Sequence, residues 1–295
     1  MLIRILKPFT EQYELMLESD MNAMGLIMRS KMKMRWDFNV INVNDHQIEA
    51  RLILLNHELI DSNNPFVKEV AEVTQVFSKM YDEVHVILNH KGSVLSVVNL
   101  DFITSKWKAI KAEMEKQLAF APDLQNVMTL NDNIFSSSKN VALAIESNEF
   151  FTTFFSKIYG RDIPYETEVA TKNNFLNTLQ IQWHYNALFS KDRPVGDILP
   201  IRLIARPAKR LGNDYCRKAY SQFADKVDVT TLNPVLEEIQ EAETDKNDGR
   251  LIATKIHRNE TASHDLFLRI NYHLYGSRQS PFSSLKEPEL QGFIN

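Results

Sequence analysis

The sequence predicts an α+β protein built on one large, curled antiparallel β-sheet, meander-like or half-barrel-like. Helices pack on one face of it, and a helical segment occupies the middle of the chain. Three observations lead there. Long stretches alternate apolar and polar residues with period two, as strands do when one face is buried and the other wet. Amphipathic stretches with three- and four-residue spacing interrupt them. Strands and helices do not alternate one for one, which argues against a doubly wound parallel sheet.

The first elements form a meander. Tyr13, Leu15 and Leu17 alternate with Glu14 and Glu18. Over 28–40, Met28, Met32, Met34, Trp36, Phe38 and Val40 alternate with Arg29, Lys31, Lys33, Arg35, Asp37 and Asn39. A third strand runs over about 47–58, with Ile48, Ala50, Leu52 and Leu54 on one face, after turn residues Asn44 and Asp45. Asn64 as cap and Pro65 at the first helical position open an amphipathic helix carrying Phe66, Val70, Val73, Phe77 and Met80. A hairpin with an NHKG turn follows. A second helix over about 104–118 carries Trp107, Ile110, Met114 and Leu118 on one stripe.

Residues 122–159 read as all-helical, with a wide stripe of Phe150, Phe151, Phe154, Phe155 and Ile158 and a C-cap at Gly160. In the second half, 174–188 reads as a strand with Leu179, Ile181, Trp183, Tyr185 and Ala187 opposite Gln180, Gln182, His184 and Asn186. Another strand lies between Pro200 and Pro207. Residues 213–224 and 233–243 read as helices. Asp248-Gly249 punctuates the chain before a strand over 250–258, and a final strand carries Leu266, Leu268, Ile270, Tyr272 and Leu274 on one face. The expected organisation is a single domain over 1–295. It has β-rich halves at 1–120 and 161–276, a helical segment at 121–160 and an extended tail at 277–295.

Composition narrows the function. Apolar residues make up 44% and charged residues 24%, and the formal charge is −4, which gives no reason to expect a nucleic-acid partner. No stretch approaches the ~20 apolar residues of a membrane span. The sole cysteine, Cys216, rules out an internal disulfide and any cysteine metal cluster. With no secretory signal pattern in MLIRILKPFT, a cytoplasmic location is the default expectation. Only 8 glycines occur, and no glycine-rich phosphate loop, zinc-helix or nucleophile-elbow motif is found, so no cofactor, no metal and no catalytic set is expected.

Weaker candidates stand beside bland readings. DKNDGR at 245–250 resembles the start of a calcium loop, yet its glycine arrives one residue early, so it reads as a turn. His57 and Glu58 point to opposite faces of a strand. His85 and His90 flank a hairpin without a third ligand. His184, Arg269, Asn271 and His273 would line a polar pocket if their two strands are neighbours and the face is covered. A histidine there could act as acid or base.

Two surfaces are candidates for partner binding. Arg29, Lys31, Lys33 and Arg35 share one strand face, where Glu14, Glu18 or Glu49 could pair with them or an acidic protein surface could dock. Arg202, Arg206, Lys209 and Arg210 form a second basic group. Phe151 and Phe154 would form a docking face if exposed, and otherwise a core helix or a cavity wall. Met21, Met24, Met28, Met32 and Met34 crowd one region and suit adaptable apolar contacts. In architecture the plan resembles the half-barrel carriers that handle lipoproteins. The leading expectation is a non-catalytic interaction or scaffold protein in a larger assembly. The alternatives are a carrier or sensor of an apolar ligand held between sheet and helices, and an enzyme using His184 or His273.

Overall fold

The computed structural model describes residues 1–117, 124–190 and 196–278. The chain begins with β1 (Leu2–Ile3), then three long strands, β2 (Phe9–Ala23), β3 (Leu26–Val43) and β4 (Ile48–Ser62). Helix α1 (Pro65–Ser78) leads to the hairpin β5 (Glu83–Leu88) and β6 (Val94–Val97). Helices α2 (Leu100–Gln117), α3 (Leu124–Phe135), α4 (Ser138–Glu146) and α5 (Glu149–Phe154) fill the middle. The second half runs β7 (Arg161–Asp162), β8 (Tyr165–Asn173), β9 (Gln180–Phe189) and β10 (Ile198–Pro207). Helix α6 (Asn213–Ala219) precedes β11 (Val235–Asp245), β12 (Leu251–Ser263) and β13 (Leu266–Gly276).

Eleven of these strands form one antiparallel sheet in the order β6-β5-β4-β3-β2-β13-β12-β11-β10-β9-β8, while β1 and β7 pair separately. Each half of the chain builds one side of the sheet, and the seam is the β2–β13 pair, in register from Leu266 opposite Ala23 to Gly276 opposite Tyr13. The β2–β3 hairpin turns at Met24 and Gly25, with φ of 55° and 92°. Two successive left-handed residues match the right-handed twist of the flanking strands, which is why glycine is useful there.

Residues 28–40 lie within the longer β3, but the alternation of burial holds only from Met34 on: Met34, Trp36, Phe38 and Val40 are buried at 4% exposure or less, whereas Met28 and Met32 are half-buried like Lys31 and Lys33. On that face lies α5. Asn148 caps it through a side-chain oxygen that accepts from the Phe150 N–H. Phe150 then meets Tyr13, Trp36 and Phe38 at ring-centroid distances of 5.6, 5.4 and 4.9 Å. Phe154 meets Tyr13 and Phe38 at 5.4 and 5.1 Å. A smaller apolar cluster of Met80, Trp107, Met114 and Met128 joins α2 and α3 to the turn after α1.

A polar hub anchors the other side. Glu260 of β12 is fully buried and accepts hydrogen bonds from Asn174 Nδ2 (2.9 Å), Tyr220 (2.9 Å), Tyr215 (3.3 Å) and the Leu176 N–H (3.0 Å). It ties α6 and the turn after β8 to the sheet. At the far end, Gly249 has φ +73° and faces the Arg4 carbonyl so closely that a Cβ would collide with it.

Several sequence expectations are corrected. Residues 233–243 are not a helix but most of β11, because its inward positions include Glu238 and Gln240 and so hide the period-two signal. The strand expected over 174–188 begins at Gln180, and β8 before it carries no apolar alternation. The helical segment is broken into α3, α4 and α5. Leu118, residues 122–123 and most of the tail, 279–295, lie outside the described residues. No helix among the described residues is long and apolar enough to cross a membrane.

Candidate functional site

The basic row on β3 lies against acids of β2. Arg29 pairs with Asp20 (3.1 Å), Lys31 with Glu18 (2.9 Å) and Lys33 with Glu14 (2.6 Å), while Arg35 is exposed opposite Glu14 in the register. Glu49 instead meets His85 at 2.9 Å. In the second basic group, Arg206 pairs with Glu237. Phe151 and Phe154 are 3% and 0% exposed, so they are core and cavity wall and offer no open docking face.

The polar pocket is corrected by topology. His184 lies on β9 and Arg269, Asn271 and His273 lie on β13, with β12, β11 and β10 between them. The two strands are therefore not neighbours, and the condition for a shared pocket is not met. On β13 they make local contacts. Asn271 Oδ1 lies 2.7 Å from His257 Nδ1, the Arg269 guanidinium sits 4.5 Å over the Phe267 ring, and His273 is 5% exposed beside Tyr275. The 245–250 segment is a turn in which Asp245 and Asp248 accept backbone N–H groups and Arg250 pairs with Glu11 at 2.7 Å. Cys216 is buried, and burial pushes its thiol pKa up, so it is not activated as a nucleophile.

Two cavities lie on the inner side of the sheet. The first, about 290 Å³, is walled by Met32, Met34 and Trp36 of β3, Leu52 and Leu54 of β4, and Phe151. Phe77, Met80 and Tyr81 close it from the α1 side, and Asn148 and Glu149 from α5. Its polar lining includes His57, Tyr81, Asn131, Asn148 and Glu149. The Tyr81 hydroxyl is buried with no partner among the described residues, and burial pushes its pKa up to about 12. His57 enters because its register partner is Met34, whereas Glu58 faces Lys33 on the other side. Burial lowers the His57 pKa, partly opposed by Glu149, which favours the neutral imidazole.

The second cavity, about 240 Å³, lies across Phe151 from the first and contains a charged cluster that sequence reading missed. Glu238 Oε2 receives both Lys172 (3.0 Å) and Arg258 (2.7 Å), and Arg258 also donates to the Tyr272 hydroxyl at 3.1 Å. Phe175, Trp183 and Tyr185 surround the Lys172 ammonium at 5.5, 5.0 and 5.5 Å. Nearby, Glu168 takes Arg161 and Lys157 together. A sequence signal existed for Arg258 alone, which continues the buried face that Ile252, Thr254 and Ile256 set up on β12.

The Arg161 hydrogen bond, aided by the Arg161 and Lys157 charges, holds the Glu168 pKa down at about 2. A carboxylate whose folded-state pKa is depressed stabilises the fold above its unfolded value of about 4.3, and that contribution fades as pH falls towards 2. Glu168→Gln is therefore expected to flatten the loss of stability between about pH 4.5 and 2. Urea midpoints measured across that range check this, and parallel curves for the two proteins would count against it.

No family model matches the chain, and neither does any curated protein. Among solved structures, one of lipid–protein interactions in lipovitellin is similar at 10% identity and a TM-score of 0.41, covering 98% of this chain. The chain spans 27% of that structure's length.

Proposed function

We propose that the protein is a carrier or sensor of a small apolar molecule, held in the first cavity. The supporting observation is its lining: Met32, Met34, Trp36, Leu52, Leu54 and Phe151 form an apolar wall, with polar groups such as His57, Tyr81, Asn131 and Glu149 at its edge, and the Tyr81 hydroxyl has no partner among the described residues. Ligand pockets combine such apolar walls with a few polar groups that fix orientation, and they start at about 300 Å³. Methionine side chains adapt to the shape of what they hold.

The half-barrel shape and single-domain organisation belong to this reading. Lys91 and Gly92, from the β5–β6 turn, line the same cavity as Lys172 of β8 and Tyr185 of β9. In a flat sheet β5 and β9 would stand roughly 38 Å apart at eight strand spacings. A curled sheet wrapped around α5 accounts for their meeting.

The test is titration calorimetry with 1-decanol, an uncharged apolar probe, on the purified protein and on Met32→Trp, which narrows the cavity. The wild type is expected to bind one equivalent, and the variant, with an unchanged melting temperature, at least tenfold more weakly. Absence of stoichiometric binding, or equal binding by a folded variant, would remove the proposal.

A further inference from the structure

We propose that the second cavity is a binding site for an oxyanion, the carboxylate or phosphate group of a small molecule. Four cations line it, Lys91, Lys157, Lys172 and Arg258, against two carboxylates, Glu146 and Glu238, and Lys157 also pairs at 3.2 Å with Glu168, which it shares with Arg161. Both carboxylates are already engaged. Glu146 accepts the Val94 N–H at 2.6 Å, and one oxygen of Glu238 serves both Lys172 and Arg258.

One carboxylate neutralises one of two adjacent cations, so positive charge is left over beside the cavity. The Glu238 side chain is 8% exposed, while Lys172 and Arg258 retain 33% and 25%. The acid is covered, and the two bases, which line the cavity, keep more of their surface. Burial also lowers the Lys172 pKa, the direction expected of an ammonium short of compensating charge.

A hydroxyl completes the set. Ser156 lines this cavity, and its Oγ is buried with no partner among the described residues. It can donate to an oxygen held by the cations. The aromatic rings around Lys172 hold its ammonium in place beforehand, which reduces the ordering cost of binding. Charge-assisted hydrogen bonds from guanidinium and ammonium groups are the stronger kind, and they suit carboxylate and phosphate.

Phe151 forms a wall of both cavities. The oxyanion could therefore be a free small ion, or the head of an acid whose chain lies in the apolar cavity. The second source rests on the proposed function above, and the experiment separates the two.

The test is titration calorimetry at constant ionic strength on the full chain, with inorganic phosphate, sodium decanoate and 1-decanol as probes. The main variant is Lys91→Gln/Lys157→Gln. It leaves the Glu238 pairs intact, and Glu168 keeps Arg161, so folding is spared. Ser156→Ala is the second variant.

Phosphate or decanoate is expected to bind the wild type with one-to-one stoichiometry. Binding should weaken at least tenfold in the lysine double variant and several-fold in Ser156→Ala. Decanoate binding more tightly than both phosphate and decanol supports the site as the head-group end of an amphiphile. Decanoate binding no more tightly than phosphate supports it as a free-anion site. Failure of both anions to bind the wild type overturns the inference, as does equal binding by the folded lysine variant. Decanol binding without anion binding sinks this site and leaves the apolar cavity standing, and anion binding without decanol binding does the reverse.

Discussion

Phe150→Ala is expected to lower the unfolding free energy by about 3–5 kcal/mol, the range found when a buried aromatic side chain is removed from a core. Phe150 is 0% exposed and its ring touches those of Tyr13, Trp36, Phe38, Phe151 and Phe154 at 4.9–5.8 Å. Those neighbours belong to β2, β3 and α5, elements whose positions are set by sheet hydrogen bonds and by the Asn148 cap. They cannot collapse freely into the space left, so the cavity term adds to the lost transfer free energy. Phe150→Leu, which keeps most of the volume, should cost distinctly less. Urea unfolding followed by circular dichroism measures both. A loss below about 1.5 kcal/mol for the alanine variant would show that α5 is not seated on the sheet as described.

Glu260→Ala is expected to cost about 3 kcal/mol or more for a different reason. Truncation leaves Asn174, Tyr215, Tyr220 and the Leu176 N–H without their shared acceptor. A buried donor left unsatisfied costs about 1–3 kcal/mol, and members of one network are not independent. The loss should concentrate where the hub acts, so amide exchange in α6 and in the turn at 174–179 should accelerate more than in β3. Glu260→Gln retains one acceptor oxygen and should fall between. Uniform acceleration across the sheet, or a loss under about 1 kcal/mol, would refute the hub as a local anchor.

β3 was legible because its inward positions are apolar and its outward positions are charged, so alternation in chemistry coincides with alternation in space. The acids on β2 that pair with Arg29, Lys31 and Lys33 were legible too, since a row of like charges demands opposite ones nearby. β11 was illegible because the two alternations part company there. Its inward Glu238 is compensated by Lys172 and Arg258, which stand 66 and 20 residues away, and no local window contains that compensation. The same separation concealed the second cavity. His57 was discounted because Glu58 beside it points to the opposite strand face, yet its neighbours in the first cavity come from β3, α1 and α5. His184 and His273 were grouped by similar strand character, and strand order, which separates them, is not written in either strand.

The seam between β2 and β13 has a consequence during synthesis. Strands β2 to β6 are joined by short connections or a single helix and can pair as soon as they leave the ribosome. β2, 15 residues long, must then wait as a bare edge until the strand at 266–276 has been made. Pairing across so much intervening chain is slow, and an open edge is a template for another nascent copy. Glu14, Glu18 and Asp20 along that strand place charge on the waiting edge, where Lys31, Lys33 and Arg29 already hold them from the β3 side. The ion pairs between β2 and β3 thus also guard the half-made sheet against its own siblings.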